Sequence, residues 1–461
     1  MDLLLTHGYF LSEDAAEQRV MKPYPPLGIL SIASYLKSRG YSVGVFDTTF
    51  ARQSDFRSCL AAKRPPVVGI SANLMTKLTV LEQIRWAKAA GSRVVVGGPD
   101  VPEYAREYLE HGADVAVIGE GEETMAELLP ALASGRALEG VRGIAFRNGD
   151  GKIVRSPQRP LIPELDSLPL PDRAMIDIPK YLSTWRDRHG YGSVSLICAR
   201  GCPFTCTWCS RSVFGETHRR RSPSGVADEI ALIREQYSPD MLWFADDVFT
   251  INHKWFYEFH AEMKRRGFRI PFECITRADR LTGDILEKMA ELGAARIWYG
   301  SESGSQRILD AMQRRVSVDE IRSAAALARR YGIESGLFVM IGYPGEEISD
   351  IEETVEHLKR TGADHFLTTV AYPIRGTEFY RSVEGRIIPP PSWSSGTDRN
   401  LRISGRYSDR FYWFANRYIA NEVKAFRMKQ NGAAGMAKIA PALAKAKLAR
   451  LGMELTKEQR S

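Results

Sequence analysis

The chain has 461 residues, 44% of them hydrophobic and 26% charged, which is enough for two or three globular domains with sizeable cores. No run of about 18 uninterrupted apolar residues occurs, and the start MDLLLTHGYF has neither a basic region nor a cleavage site, so we predict a cytoplasmic protein without a transmembrane segment. Residues 399–461 carry 14 Lys or Arg against 4 Asp or Glu, which accounts for the net charge of +7. Because no nucleic-acid-binding module is recognisable, this tail favours a solvated helical face over nucleic-acid binding.

Residues 1–138 alternate between short β-rich runs and amphipathic helical windows, a pattern typical of a doubly wound parallel α/β sheet. Such a Rossmann-like or flavodoxin-like domain binds its ligand beyond the carboxyl ends of the strands. Neither Gly-x-Gly-x-x-Gly nor Gly-Lys-Ser/Thr follows the first strand, which disfavours a nucleotide. Small or polar residues at three neighbouring strand ends would let a ligand approach the backbone: Ser71, Gly97, Gly98, Gly119, Glu120 and Gly121. The predicted strands are 2–6, 42–47, 67–71, 93–97 and 114–118.

The periodicity fades over residues 139–190, which we interpret as a hairpin and a linker. The run Asn148 to Gly151, Asn-Gly-Asp-Gly, predicts the hairpin turn, and four prolines between 160 and 171 predict an extended chain. Residues 191–380 then contain six strand and helix repeats, too few for an eight-stranded barrel, so they favour a partial (β/α)6 barrel of the TIM type. Residues 381–461 are predicted as a basic helical extension, with an aromatic-rich helix over 409–429 and an Ala/Lys helix over 433–455.

Four of the six cysteines fall within residues 197–210, and Cys202, Cys206 and Cys209 have the spacing Cys-x3-Cys-x2-Cys. Three thiolates this close on a Gly/Pro-bent loop can ligate three irons of a 4Fe-4S cluster and leave the fourth iron open to a non-protein ligand. Zinc would need a fourth side chain, and no second Cys-x2-Cys pair is present. Cys198 could supply that ligand, but alternation along the preceding strand favours packing. We therefore predict an iron-sulfur centre.

Residues 190–380 resemble the radical SAM superfamily, which places this cysteine loop after the first barrel strand. The resemblance implies that S-adenosylmethionine binds over the open iron. Trp208 stands where the family prefers an aromatic residue near the adenine, and the other matching positions follow successive predicted strands. The residues implied in binding S-adenosylmethionine are Trp208, Asp246, Asp247, Glu302, Ser303, Ile341 and Gly342.

The first 138 residues resemble the cobalamin-binding domain of cobalamin-dependent radical SAM proteins. The resemblance rests on Pro-Pro-Leu-Gly at 25–28, on Ser71, on the Gly97-Gly98 pair and on the run from Val117 to Glu122. It implies that cobalamin contacts the six strand-end residues named above. His7 lacks the flanking residues of the Asp-x-His-x-x-Gly motif, so we expect no histidine on cobalt from this domain.

Together the two resemblances imply an enzyme that reductively cleaves S-adenosylmethionine to a 5′-deoxyadenosyl radical and transfers a methyl group, through methylcobalamin, to an unactivated carbon. An alternative within the enzyme class is ring formation or oxidation, as in the anaerobic magnesium-protoporphyrin IX monomethyl ester cyclase. A non-catalytic cluster- or cobalamin-binding sensor is the alternative from another class. Expected partners are a small-molecule substrate and a reductant such as flavodoxin or ferredoxin. The aromatic helix would either line a pocket for a large, flat or lipidic substrate or dock on the barrel, and the Ala/Lys helix would suit peripheral membrane contact.

Overall fold

The computed structural model describes residues 1–430 and 436–459, which fall into two compact units. The first unit comprises Met1–Pro203, Ser210–Ala245 and Pro390–Arg399, and the second comprises Phe204–Cys209, Asp246–Pro389 and Asn400–Ser461. The hairpin and the proline-rich segment that the sequence predicts as a linker both lie inside the first unit. Among the helices that the structure describes, none is both long and apolar enough to cross a bilayer.

A seven-stranded sheet forms the framework of the first unit, in the order β2-β1-β3-β4-β5-β6-β7. The first five strands pair in parallel, and the 2-1-3-4-5 order is that of flavodoxin-like sheets. The predicted hairpin is confirmed, and its two strands extend the same sheet in antiparallel fashion. The strands are β1 Leu3–His7, β2 Val43–Phe46, β3 Val67–Ser71, β4 Arg93–Gly97, β5 Val115–Val117, β6 Ile144–Arg147 and β7 Ile153–Arg155.

Helices cover both faces of this sheet because alternate strand residues point to opposite sides. Leu4 packs in a core with α4 and α5, whereas Leu3 and Leu5 pack with α2 and α6. The helices of this part are α1 Ala15–Val20, α2 Leu27–Lys37, α3 Gln53–Lys63, α4 Lys77–Ala89, α5 Val101–Glu110, α6 Gly121–Ser134 and α7 Ile178–His189.

Helices α1 and α7 were not predicted from the sequence. Helix α7 begins after Asp177, whose side chain accepts from the Lys180 N–H at 3.1 Å. It buries Ile178, Tyr181, Leu182 and Trp185, a 3.6-residue pattern. In a proline-rich stretch, Pro179 suggests a break in any helix. The first turn of a helix nevertheless tolerates proline, because backbone N–H groups at those positions have no intrahelical partner to lose. Before this helix the predicted linker is not uniformly extended either, because 3-10 turns interrupt it at Leu165–Ser167 and Arg173–Met175.

The six strand and helix repeats predicted after residue 190 are confirmed. In the first unit β8 and β11 pair in parallel, and β9 and β10 form a short antiparallel ladder. In the second unit β12, β13, β14 and β15 pair in parallel in chain order. The strands are β8 Ser193–Leu196, β9 Ala199–Arg200, β10 Arg219–Arg220, β11 Met241–Phe244, β12 Phe272–Thr276, β13 Ala294–Glu302, β14 Glu334–Ile341, β15 His365–Val370, β16 Ile387–Ile388 and β17 Arg402–Ile403. The helices are α8 Pro223–Tyr237, α9 His253–Arg265, α10 Gly283–Leu292, α11 Gln306–Ala311, α12 Val318–Arg330, α13 Ile348–Thr361, α14 Glu378–Val383, α15 Asp409–Gln430 and α16 Met436–Thr456.

The two C-terminal helices pack against each other, and α15 also packs on α13. Phe411 and Tyr412 of α15 are almost fully buried. The aromatic helix therefore docks on the second unit through these rings, which is one of the two alternatives that its sequence allows. The predicted start of the last helix, residues 433–435, lies outside the described residues.

Candidate functional site

The cysteine loop follows β9 and has no regular secondary structure from Gly201 to Cys206. Its base is closed by the ladder in which Arg200 pairs with Arg219. Gly201 has a φ of 89°, and a side chain there would collide with the Thr217 carbonyl. The glycine directly before Cys202 is therefore required by the tight closure of the loop.

A buried network of ion pairs holds this base against the turn after β5. Glu120 binds Arg200 Nη1 at 2.7 Å and Arg219 Nη1 at 2.8 Å, and it also accepts the Ile162 N–H at 2.7 Å. Glu122 binds the second terminal nitrogen of Arg200 at 2.5 Å. Both carboxylates are almost completely buried. Glu120, one of the residues predicted to contact cobalamin, thus has both of its oxygens engaged by the protein.

A cavity of about 550 Å³ lies at the carboxyl ends of β1 and β3 and at the start of α2. Of the six residues predicted to bind cobalamin, Ser71 lines this cavity. The Pro-Leu-Gly end of the run at 25–28 also lines it, together with His7, Tyr9 and Asn73. These last three residues were not predicted from the sequence to bind cobalamin, although their place at or just beyond the ends of β1 and β3 is the signal that would have found them.

The turn after β4 approaches the turn after β3 very closely. Gly98 has a φ of 104°, and a Cβ atom there would lie 2.5 Å from the Ala72 carbonyl oxygen. Gly97 ends β4, Gly119 has a positive φ, and Gly121 begins α6. Close packing of the protein itself accounts for Gly98, so cobalamin contact at these glycines stays a prediction.

His7 ends β1, and its ring is held by hydrogen bonds within the first unit. Its Nε2 lies 3.0 Å from Asp47 Oδ1, and its Nδ1 accepts the Tyr9 N–H at 3.3 Å. Tyr181 donates to the other Asp47 oxygen at 2.8 Å. Burial acts to raise the pKa of Asp47, but the hydrogen bond and the charge of His7 outweigh it and hold that pKa below its ordinary value. Both ring nitrogens therefore have protein partners, and the absence of a histidine ligand on cobalt stays a prediction.

In the second unit, Cys206 is buried beside two arginines. Arg314 Nη1 lies 4.0 Å from the Cys206 Sγ, and its other terminal nitrogen donates to the Gly300 carbonyl at 3.0 Å. Arg277 donates to the Arg314 carbonyl at 3.0 Å and stacks on the Phe204 ring, 3.8 Å from its centre. The guanidiniums place positive charge beside this sulfur, which suits a cysteine that binds a metal cluster. Arg277 follows β12 directly, but nothing in the sequence marks Arg314.

Glu302 ends β13 with a φ of 54°, which is strained for a residue with a side chain. Its burial raises the pKa of the carboxyl to about 7, although the charges of Arg314 and Arg277 act in the opposite direction. The neighbouring Ser303 hydroxyl lies 3.3 Å from Thr354 Oγ1 of α13 and accepts the Ser305 N–H at 3.1 Å. The Ser303 hydroxyl is thus hydrogen-bonded within the protein, whereas the Glu302 carboxylate lies 3.9 Å from the Nε atom of Arg314.

Three of the remaining predicted residues lie around the turn after β14. Trp208 packs against the core cluster that includes Tyr343, whose hydroxyl lies 2.7 Å from Thr207 Oγ1. Ile341 is fully buried, and the Gly342 N–H donates to the Glu346 carboxylate. The structure therefore brings the end of the cysteine loop together with the turn that follows β14.

Asp246 and Asp247 directly follow β11 in the chain. Asp246 is buried, whereas Asp247 is exposed. The two neighbouring carboxylates thus have different environments, and a role in binding S-adenosylmethionine stays a prediction for both.

Cys202, Cys206 and Cys209 are all free of disulfide bonds, and their exposure increases from the buried Cys206 through Cys202 to Cys209. Within the described residues, no three Cys, His, Asp or Glu side chains are gathered as a ready-made metal site. The donor set is nevertheless the one that an iron-sulfur cluster requires, since it offers three thiols on one loop with a cationic side chain beside Cys206.

Glu346 gives the stability of the protein a distinct pH dependence. Its burial raises the pKa to about 8, although the Gly342 N–H acts to lower it. Since that pKa lies above the usual value of 4.5, the folded state gains stability at low pH and loses it as the pH rises from 4.5 through 8. We expect Glu346→Gln to remove about 1.4 kcal/mol per pH unit of this slope in urea unfolding measured from pH 5 to 8. The exposed Glu353→Gln is the matched control, and an unchanged slope in Glu346→Gln would contradict the assignment.

Two family models match this chain. Residues 19–129 match the B12 binding domain, and residues 196–358 match the radical SAM superfamily. The chain therefore combines a B12 binding domain with a domain of the radical SAM superfamily. The family resemblances that the sequence analysis drew from short motifs are thereby confirmed.

Similar proteins agree with this membership. An uncharacterised methyltransferase of Pyrococcus horikoshii is 29% identical over 398 residues, with 84% of each chain covered. The anaerobic magnesium-protoporphyrin IX monomethyl ester cyclase of Rubrivivax gelatinosus is 28% identical over 72% of this chain, which spans 61% of the cyclase's length. The relatives bear the names of enzymes, which supports an enzyme over a binding sensor.

A solved structure shows the same fold. The radical S-adenosylmethionine methyltransferase TsrM of Kitasatospora setae, determined with cobalamin and a [4Fe-4S] cluster bound, has a TM-score of 0.69. The match has 18% sequence identity and covers 83% of this chain and 74% of TsrM. The predicted α/β architecture, a B12-binding domain followed by a radical SAM domain, is thus confirmed.

Proposed function

We propose that this B12-binding radical SAM enzyme transfers a methyl group to an unactivated carbon of a small molecule. The observation that carries the proposal is the methyltransferase relative that matches 84% of this chain, over both the B12-binding and the radical SAM parts. When bound, the 4Fe-4S cluster with S-adenosylmethionine would supply a 5′-deoxyadenosyl radical, and cobalamin would supply the methyl group.

The residues of the chain would bind and orient these groups. Cys202, Cys206 and Cys209 would hold the cluster, and Arg314 would place positive charge beside the Cys206 sulfur. The S-adenosylmethionine residues proposed from the family resemblance are Trp208, Asp246, Asp247, Glu302, Ser303, Ile341 and Gly342. The cavity at the ends of β1 and β3 offers hydroxyl, amide and backbone groups, which suit the many amides of cobalamin.

The location and the reductant belong to the same proposal. A cytoplasmic location is supported by the clustering of four cysteines within residues 197–210, since a reducing compartment keeps such clusters available for a metal centre. The cluster would require a one-electron donor of the flavodoxin or ferredoxin class.

A second candidate function is oxidative ring formation, which the match to the anaerobic cyclase over 72% of this chain favours. The two functions use the same cofactors, so the fate of the methyl group separates them. We expect the reduced, reconstituted protein, supplied with cobalamin and a small-molecule extract of its host, to transfer isotope from methyl-labelled S-adenosylmethionine into a new product, as detected by mass spectrometry. A new product without label would reject methyl transfer and support the cyclase-like reaction. Cys206→Ala protein serves as the background control.

A further inference from the structure

The last helix exposes a row of leucines on the side opposite its packing face. Leu448, Leu451 and Leu455 are 67%, 54% and 72% exposed. Their spacing of three and four residues places them on one stripe of the helix. The helix is already docked by a different set of side chains, which are buried: Ile439, Ala442, Ala446, Ala449 and Met453. The exposed leucines are therefore not needed to hold α16 in place.

Basic side chains flank this leucine stripe. At 100° per residue, Lys445 and Lys447 fall on either side of the stripe, and both are exposed. The Lys447 flank also carries Glu454, which is paired with both Arg450 and Lys457, so the borders of the apolar stripe are net positive. Such a composition is typical of helices that lie in the plane of a membrane interface.

An exposed tryptophan lies near the same end of the helix pair. Trp413 of α15 is 52% exposed, and the Arg417 guanidinium stacks 3.8 Å from the centre of its ring. The next residue, Phe414, meets α16 at Gly452, where a Cβ atom would lie 2.5 Å from the Phe414 ring. Because Gly452 directly follows Leu451, Trp413 is the chain neighbour of a residue that packs beside the leucine stripe. Tryptophan prefers the boundary between lipid tails and headgroups.

We propose that the leucine stripe, with Lys445, Lys447 and Trp413, docks on the surface of an anionic lipid bilayer. The leucines would enter the acyl boundary, and the lysines and Arg417 would contact negatively charged headgroups. The net positive charge of the tail favours an anionic membrane surface as the ligand, since residues 399–461 include 14 basic and 4 acidic side chains. This inference stands apart from the proposed chemistry, because it uses none of the residues assigned to the cofactors.

A second copy of the chain is a poorer occupant of the stripe. A coiled-coil seam needs apolar positions over three or four heptads, whereas the exposed leucines span little more than one. One heptad before Leu448, the stripe position is Pro441, which has no aliphatic branch to interlock with a partner helix. Lysines on both flanks would also face the lysines of an identical helix.

The test is co-sedimentation of the full chain with extruded vesicles. The vesicles contain phosphatidylcholine alone or phosphatidylcholine with about 30% phosphatidylglycerol. We expect binding to the anionic vesicles to be at least about tenfold stronger, and to weaken as the salt concentration rises. The variant Leu448→Ser/Leu451→Ser should lose about tenfold of that affinity or more, and Lys445→Glu/Lys447→Glu should lose the preference for anionic vesicles. Leu78→Ser, a leucine 42% exposed in α4, is the matched control and should bind as wild type does.

Circular dichroism would check that the variants remain folded, which we expect because the substituted residues are exposed. Equal binding of wild type and the leucine variant, or no binding by wild type, would overturn the proposal. Light scattering would show whether the wild-type chain is a dimer. If it is a dimer that does not bind vesicles, and the leucine variant is a monomer, the stripe would instead be the interface with a second copy of the chain.

Discussion

Cys206→Ala protein is expected to lose its iron-sulfur cluster and to form 5′-deoxyadenosine at least about 100-fold more slowly than wild type. Two thiolates cannot hold the cube in place, and the truncation leaves the buried Arg314 guanidinium facing a methyl group instead of sulfur. Iron and sulfide analysis of anaerobically reconstituted protein would measure the first effect. Chromatography of reactions with S-adenosylmethionine and dithionite would measure the second.

Two other cysteines provide matched controls for this truncation. Cys274 is fully buried in β12, and Cys198 is fully buried four residues before Cys202. Alanine at either position should preserve iron content and activity, because we interpret both as packing residues. Loss of the metal in Cys198→Ala would contradict this interpretation and indicate a four-thiolate site, as zinc prefers.

The second large effect concerns Glu120, which holds Arg200 and Arg219 at the base of the cysteine loop. Removal of one partner from a buried ion pair leaves the other charge buried without compensation. Glu120→Ala should therefore lower the free energy of unfolding by about 3–5 kcal/mol. Arg219 would lose the carboxylate that it shares with Arg200, whereas Arg200 would keep its ion pair with Glu122. Urea unfolding of the cofactor-free chain, followed at the first transition, would measure this loss.

Glu123→Ala is the matched control for this experiment. Glu123 lies three residues further along the chain, in α6, and its side chain is 44% exposed. Its distance to Arg159 is 3.9 Å, so its loss should change stability by no more than about 0.5 kcal/mol. A Glu120→Ala effect as small as this would show that the buried network contributes little. Glu120→Gln should fall between the two, because it keeps an acceptor for the Ile162 N–H but removes the charge.

The framework of the fold was predictable from the sequence because its signals are local. The runs Val67–Ser71 and Arg93–Gly97 are short, apolar and rich in β-branched residues, and the structure places β3 and β4 at those bounds. Helix α7 was missed because Pro179 falls at its first turn, where a local pattern suggests a break. Local signals therefore locate the strands of the sheet well, but they miss a helix whose first turn carries a proline.

The contacts around the candidate sites were not predictable in the same way. Glu120 and Arg219 are 99 residues apart, and Cys206 and Arg314 are 108 residues apart. No periodicity relates such pairs, so only the fold reveals that the Gly-Glu-Gly-Glu run meets the base of the cysteine loop. The cysteine spacing, by contrast, lies within eight residues and could be interpreted directly.

The Glu120 and Glu122 network also limits how this protein can be cut or recombined. Its carboxylates come from the B12-binding region and its guanidiniums from the start of the radical SAM region. All four side chains nevertheless meet within the first unit, where the carboxylates are buried and the guanidiniums are largely shielded from solvent. A truncation that removes residues 1–138 would leave Arg200 and Arg219 without their acidic partners. A chimera that exchanges B12-binding halves between relatives would therefore have to transplant these four residues as a set, or the hybrid would be expected to aggregate during expression.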